Sequence, residues 1–273
     1  MEHSDDSSVI TLTSDVGDVP KYARRSYSTS NRMAFNQTTD AFKKCKRYVT
    51  RLFRANQMDF DFAFWQMVYL FLNPNKVYRN FQYRKQTKNQ FARDDPAFLV
   101  LLSIWFIISA TGLSLVLHLH FLGFLKFLLW MVFIDCILIG IIVASIFWIV
   151  TNRFMKRESH GREDVEWGFA FDIHLNAFFP PLLILHVFQL FFYNVFISQD
   201  HFISRLFGNT LWLIAVGYYC YITFLGYSTL AILRHTQMIL YPMVPLSLWW
   251  LIATLSGYNI CRSIMEFYHY RVF

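Results

Sequence analysis

Runs of about 20 apolar residues with almost no charge recur through the last two thirds of the sequence. A helix of that length crosses the roughly 30 Å hydrocarbon core of a bilayer. The 55% apolar share and the 30 phenylalanines also exceed what soluble domains carry. The sequence therefore predicts an all-α membrane protein with about five transmembrane helices in residues 96–258. The predicted spans are 97–117, 127–150, 175–198, 208–233 and 237–258. Pro180-Pro181, near the first turns of the third span, predict a kink or a later start there.

Lys and Arg are unevenly distributed among the segments that link these runs. The first, third and fourth links carry one cation each, Lys126, Arg205 and Arg234, whereas the second link carries four. A dense cluster also precedes the first span. Because cytosolic links carry an excess of Lys and Arg, the N-terminus and the second link are predicted to be cytosolic. Five crossings then place the short tail, residues 259–273, on the lumenal side.

The chain before the first span changes character twice. Residues 1–40 are rich in Ser, Thr, Asp and Asn and are predicted to be a disordered cytosolic tail. Residues 41–95 are predicted to be a basic cytosolic region. Its apolar run at 59–72 is too short to cross a bilayer and predicts an interfacial or re-entrant helix that ends before Asn73-Pro74. Asp95 and Pro96 are typical of an N-cap and a first helical residue, and they predict where the first span begins.

Cations and aromatic residues interleave in this region and predict a cytosolic basic surface. Such a surface attracts the anionic lipids of the cytosolic leaflet, which is the preferred interpretation. Docking of a protein partner and binding of RNA are the alternatives, although the segments match no recognised RNA-binding module. The cations are Lys43, Lys44, Lys46, Arg47, Arg51, Arg54, Lys76, Arg79, Arg84, Lys85, Lys88 and Arg93.

One carboxylate lies well inside an apolar run. Asp135 is in the second predicted span, where an acid is costly enough to need a partner. His186, with Gln189 one turn further on, lies at a similar depth in the third span. We expect these three side chains to form a structural hydrogen-bonded cluster. A proton-coupled or ligand-binding role, and snorkelling of Asp135 to the lipid interface, are the alternatives. The spacing of Gly140 and Ala144 predicts a helix contact.

Asp172, His174 and Asn176 alternate near the cytosolic start of the third span and include metal-ligand types. The histidine-rich boxes of membrane di-iron enzymes are absent, so a structural role is preferred and neither a metal nor a cofactor is expected. An acidic patch precedes these residues and is predicted to be solvated or paired with the basic region, with partner docking as the alternative. The patch consists of Glu163, Asp164 and Glu166.

Several blocks between Asp59 and Phe273 are long enough to be compared as whole segments. They include Val77-Tyr78-Arg79-Asn80-Phe81, Ala92-Arg93-Asp94-Asp95-Pro96-Ala97-Phe98-Leu99, Asp164-Val165-Glu166-Trp167-Gly168-Phe169-Ala170-Phe171-Asp172 and Gly208-Asn209-Thr210-Leu211-Trp212. On these blocks the chain resembles the uncoordinated-fifty family of Golgi multi-pass membrane proteins.

The resemblance implies a five-span Golgi protein, also associated with the inner nuclear membrane. It implies a role in vesicular trafficking and in the cell-surface delivery of nicotinic acetylcholine receptors. It further implies contact with the exchange factors that activate ADP-ribosylation factors, and RNA binding in some members. It brings no catalytic residues to this sequence.

The expected function is therefore a non-enzymatic membrane adaptor, whose partners are the lipid bilayer, those exchange factors and receptor clients. The alternative is a small proton-coupled transporter or an intramembrane enzyme centred on Asp135 and His186. Five spans do not divide into inverted repeats, and the sequence has no recognisable nucleophile and base pair. The adaptor is preferred.

Overall fold

Five helices are long and apolar enough to cross a membrane. The structure, a computed structural model, describes residues 58–88, 95–157 and 164–272, with the backbone alone at 82–88. In chain order its helices are α1 (Phe60–Leu72), α2 (Pro74–Lys88), α3 (Ala97–Val116), α4 (Phe121–Phe154), α5 (Trp167–Ile197), α6 (Phe202–Ser228), α7 (Thr236–Leu255) and α8 (Ile260–Val272). Helices α3 to α7 are the five candidate spans. The predicted all-α membrane fold is confirmed.

The helix ends differ from the predicted span limits. Helices α4, α5 and α6 begin at Phe121, Trp167 and Phe202 rather than at 127, 175 and 208. They contain 34, 31 and 27 residues, more than the roughly 20 that cross a hydrocarbon core. The predicted disordered tail, residues 1–40, and the adjoining part of the predicted basic region up to residue 57 lie outside the described residues.

Helices α1 and α2 form a hairpin beside the spans. The Asp59 carboxylate accepts a hydrogen bond from the Phe62 backbone N–H at 2.9 Å and caps the start of α1. Helix α1 ends at Leu72, because Pro74 cannot continue a helix but can start the next one. The predicted short helix ending before Asn73 is confirmed. A buried hydrogen bond from Gln66 Nε2 to Asn176 Oδ1, 2.8 Å long, ties α1 to α5.

Helix α5 lies at the centre of the bundle. Of its most apolar stretch, 56% is buried within the protein, compared with 28% in α3 and 28% in α4. Close approach of α4 depends on Gly140, where an added Cβ would lie 2.5 Å from Cδ2 of His174. Ala144, one turn later, is buried in the same interface. Small residues permit such contacts in lipid, so the predicted helix contact at Gly140 and Ala144 is confirmed.

Two consecutive prolines do not interrupt the third span where the sequence suggested. Pro180 and Pro181 were expected to kink the span or to delay its start, but α5 begins at Trp167 and continues through both. The delayed start is therefore wrong. A wide π-helical segment, Ile184–Phe188, follows directly. Prolines lack the N–H that an α-helix uses, and enclosure by neighbouring helices makes such irregular backbone tolerable inside a membrane.

The C-terminal segment is a packed helix rather than a simple polar tail. Cys261, Met265 and Val272 recur on one face of α8 and are buried. At one end, an added Cβ on Gly208 of α6 would lie 3.1 Å from Cys261 Sγ. At the other end, Lys126 Nζ of α4 donates to the Val272 carbonyl at 3.4 Å. Helix α8 therefore connects the starts of α4 and α6.

Candidate functional site

The second span contains a wide segment that carries its carboxylate. Residues Trp130–Leu138 of α4 are π-helical, and Asp135 lies within them. Such segments inside α-helices are rare and are frequent at functional sites. The Asp135 side chain is only 22% exposed, so its charge needs a partner from the protein.

Arg271 of α8 is that partner. Its Nη1 and Nη2 donate to Asp135 Oδ2 and Oδ1 at 3.2 and 3.1 Å, which is a two-bond guanidinium–carboxylate contact. The guanidinium carbon also lies 4.5 Å from the centre of the Trp130 ring and 5.2 Å from that of Phe267. With the Arg271 side chain 11% exposed, both charges of the pair are largely shielded from solvent.

His186 lies in the π-helical segment of α5 and joins three helices. Its Nδ1 is 3.1 Å from Ser109 Oγ of α3 and 3.2 Å from Met131 Sδ of α4. Its Nε2 is 3.2 Å from Tyr268 OH of α8. A neutral imidazole donates through one nitrogen and accepts through the other, and each hydroxyl can take either role. Burial raises the pKa of Tyr268, so its hydroxyl keeps the proton that this contact uses.

The predicted direct cluster of Asp135, His186 and Gln189 does not form. Asp135 is bound by Arg271, and His186 by Ser109 and Tyr268. Gln189 is buried, and its Oε1 has no hydrogen-bond partner among the described residues. Helix α8 connects the first two residues instead, because Tyr268 and Arg271 stand three positions apart on one helical face. We call Asp135, Arg271, His186, Tyr268 and Ser109 the polar centre.

A second buried layer lies nearer the start of α5. His174 Nδ1 is 2.7 Å from Tyr219 OH of α6, and Nε2 is 3.2 Å from the Cys136 carbonyl of α4. Both imidazole nitrogens are thus occupied by protein groups, and Asn176 is bonded to Gln66. Within the described ranges, no three His, Cys, Asp or Glu side chains come together as a metal ion would require. These residues connect helices in the structure.

Comparison with known proteins identifies the family. The model of the UNC-50 family matches residues 48–269. A Bos taurus protein named unc-50 homolog is 53% identical over 243 residues, which are 89% of this chain and 93% of the relative. The chain belongs to the UNC-50 family. Its Drosophila melanogaster namesake is 55% identical over 233 residues, covering 85% and 84% of the two chains. The Homo sapiens one is 54% identical over 226 residues, covering 83% and 87%. No solved structure matches.

The UNC-50 family match confirms the resemblance. It includes four members of the polar centre and ends two residues before the fifth, Arg271. Sequence reasoning found Asp135 and His186 but missed their partners on α8. The signal available was the spacing of Tyr268 and Arg271 in a tail that also repeats buried apolar residues.

Burial raises the pKa of the Cys261 thiol, at the start of α8, to about 12, so that group is protonated at neutral pH and is a poor nucleophile.

The predicted cap of the first span also joins the hairpin to the bundle. Asp95 Oδ1 accepts from the Ala97 N–H at 3.0 Å, and Oδ2 accepts from the Asp59 N–H at 2.8 Å. One carboxylate therefore serves the starts of α1 and α3. The helix begins at Ala97, with Pro96 just before it rather than as its first residue.

Two members of the predicted basic surface have described side chains. Lys76 Nζ lies 3.9 Å from the Tyr69 ring centre and 5.8 Å from that of Trp65, and Arg79 is exposed. A cation over an aromatic face is held electrostatically while it remains near solvent. Outside the described side chains lie Lys43, Lys44, Lys46, Arg47, Arg51, Arg54, Arg84, Lys85, Lys88 and Arg93.

The links after α4 and α6 pair with each other. The Arg157 N–H donates to the Ile232 carbonyl at 2.9 Å, and the Arg234 N–H donates to the Met155 carbonyl at 2.8 Å. In the predicted acidic patch, Asp164 forms an ion pair with Lys156 at 2.6 Å, while Glu163 lies outside the described residues. These two links therefore present one connected surface.

Proposed function

We propose that this protein is a non-enzymatic adaptor of the Golgi membrane that acts in vesicular trafficking and in the surface delivery of nicotinic acetylcholine receptors. The family match carries the proposal, because it runs through the hairpin and the five spans and ends within α8, at residue 269. The adaptor recruits exchange factors for ADP-ribosylation factors on the cytosolic side and holds client helices with its spans. The resemblance extends the proposal to the inner nuclear membrane and to RNA as a further ligand of the basic residues.

The cytosolic side offers two surfaces for recruitment. The hairpin presents Lys76 and Arg79, and a basic segment precedes it in the sequence. The paired links after α4 and α6 add the exposed cations Arg157 and Arg234. A surface with this charge attracts anionic lipid and acidic partner surfaces, and it speeds their association.

The contacts of Asp135 give little support to the alternative transporter or intramembrane enzyme. Both carboxylate oxygens are bound by Arg271, which favours a structural role over proton transfer. His186 is likewise enclosed by a serine, a methionine and a tyrosine. The adaptor is thus the function that the site favours.

The orientation follows from the Lys and Arg count and has a direct test. An acceptor site for N-glycosylation placed in the link at 117–120, or after residue 272, is expected to be modified because both lie in the lumen. The same acceptor placed at 158–163 is expected to stay unmodified. Modification at 158–163 alone would reverse the proposed orientation.

Charge reversal of the basic segment should reduce recruitment of the exchange factor without removing this protein from the Golgi. With Lys43, Lys44 and Lys46 changed to Glu, we expect a several-fold loss of the exchange factor from the Golgi and a matching loss of surface receptor, since like charges repel an acidic partner. The measurement is quantitative imaging and surface labelling in cells that lack the endogenous protein.

The matched control for this experiment replaces the same three lysines with Arg, which keeps the charge and should keep both activities. If exchange-factor recruitment is lost while receptor delivery stays normal, the adaptor proposal is contradicted.

A further inference from the structure

One side of α1 faces away from the packed bundle, and it is apolar beyond Asp61 in the first turn. Phe64, Val68 and Leu72 recur there at intervals of four residues and form an apolar stripe, whereas Phe60 packs against the core and Phe71 stacks on Tyr218 of α6. Phe64 and Leu72 are 59% and 71% exposed, comparable to the outward residues of the spans. The opposite face is buried against the bundle. It consists of Ala63, Gln66, Met67 and Leu70.

Three hydrogen bonds of the hairpin lie on one side of the bundle. Asp59 bonds to Asp95 at the start of α3, and Gln66 bonds to the tenth residue of α5, Asn176. The Phe71 carbonyl accepts from Tyr218, in the second half of α6. Because successive spans alternate in direction, α3 and α5 begin on the side where α6 ends. The hairpin therefore occupies the leaflet on that side and does not reach the other.

Within that leaflet, the composition of α1 and α2 suits them to different depths. The stripe on α1 has no charge after Asp61 and suits acyl chains. Lys76 and Arg79 on α2 need the headgroups, since a cation among acyl chains is costly. The hairpin thus has the composition of an interfacial amphipathic element, with its apolar stripe at the boundary between headgroups and acyl chains.

The other side of the bundle has no equivalent element among the described residues. Helix α8 lies there, and its exposed face carries Arg262, Glu266 and His269 between the exposed aromatic residues Phe267 and Tyr270. Charges at this density keep that face among headgroups and water. Among the described residues, an interfacial helix with an uncharged apolar stripe therefore lies only on the side of the hairpin.

We propose that the α1–α2 hairpin gives this protein a preference for curved membranes, with the hairpin on the convex side. Convex bending opens gaps between the lipids of the outer leaflet, and an apolar stripe that fills such gaps binds more strongly there. The ligand of the stripe is the acyl chains of that leaflet. Assigning it to the cytosolic leaflet rests on the proposed orientation, whereas the preference for convex curvature does not.

Reconstitution into vesicles of two sizes tests the preference. The full chain, with a fluorophore at its N-terminus, is inserted into phosphatidylcholine vesicles that carry no net charge. A membrane-impermeant quencher then reports the ratio of outward to inward N-termini. From large extruded to small sonicated vesicles, we expect this ratio to rise about threefold, equivalent to about 0.7 kcal/mol at about 1.4 kcal/mol per tenfold.

The double variant Phe64→Ser and Leu72→Ser should lose the dependence on vesicle size and keep its melting temperature, because both side chains are exposed. The matched control, Phe191→Ser with Val195→Ser, changes two residues of α5 that are 74% and 80% exposed and should behave as wild type. An equal size dependence in the wild type and the Phe64 and Leu72 variant would overturn the proposal. So would a loss of self-association in that variant with unchanged orientation ratios, which would assign the stripe to a second copy.

Discussion

Methionine in place of Arg271 is expected to lower the free energy of unfolding by about 3 kcal/mol, because it leaves the Asp135 carboxylate shielded and unpaired. The side chains of the pair are 11% and 22% exposed, so solvent offers little compensation. Helix α8 would also lose its stacking contact with Trp130. The measurement is an equilibrium unfolding curve of the purified protein in mixed micelles.

A second substitution separates the ion pair from simple packing. Adding Asp135→Leu to Arg271→Met removes both charges and should restore most of the lost stability, since no unpaired charge is left in the site. Arg262→Met is the control on the same helix. Its partners Asp200 and Glu266 are exposed, so stability should hardly change. A double variant as unstable as Arg271→Met would show that packing, rather than charge pairing, holds α8.

The same residue distinguishes the adaptor from a proton-coupled transporter. Asp135→Asn keeps a hydrogen-bond acceptor for Arg271 but cannot titrate near neutral pH. We expect a moderate loss of stability and normal receptor delivery. A folded Asn variant without delivery would instead assign a chemical role to the carboxylate and favour the transporter.

Alanine in place of Gly140 should be nearly as damaging as loss of the ion pair. The added Cβ would lie 2.5 and 2.6 Å from Cδ2 and Nε2 of His174 and 3.1 Å from Phe171. His174 would have to leave Tyr219 and the Cys136 carbonyl, and a buried group without its hydrogen bonds costs about 1–3 kcal/mol. Overpacking adds a similar amount, so a total near 3 kcal/mol is expected in the same unfolding assay.

Gly217→Ala is the matched control for that prediction. It is also a glycine within a span, but its added Cβ would meet only Met243 Cε at 3.2 Å, the end of a flexible side chain. The intrinsic helix preference of alanine then makes the change neutral or stabilising by up to about 1 kcal/mol. Equal losses at the two glycines would show that the contact with His174 is not the cause.

Prediction from sequence succeeded where a few neighbouring residues determine the result. The uncharged runs identified the five spans, and Asn73-Pro74 correctly ended α1. It failed at Pro180 and Pro181, because enclosure of α5 by other helices offsets the missing hydrogen bonds. It also missed α8. The sequence of this helix mixes polar and aromatic residues, and its amphipathic character is recognisable only once three of its residues are seen to be buried against the bundle.

For this protein, the sequence alone determined which segments enter the membrane, because transfer of a side chain from water to lipid depends on that side chain and its near neighbours. It also showed that Asp135 needs a partner. Only the tertiary structure decided that the partner is Arg271, 136 positions away in the chain, and that His186 binds Tyr268 rather than Asp135. Pairing inside a bundle depends on which helices lie side by side and how they are turned, and those are properties of the packed helices together.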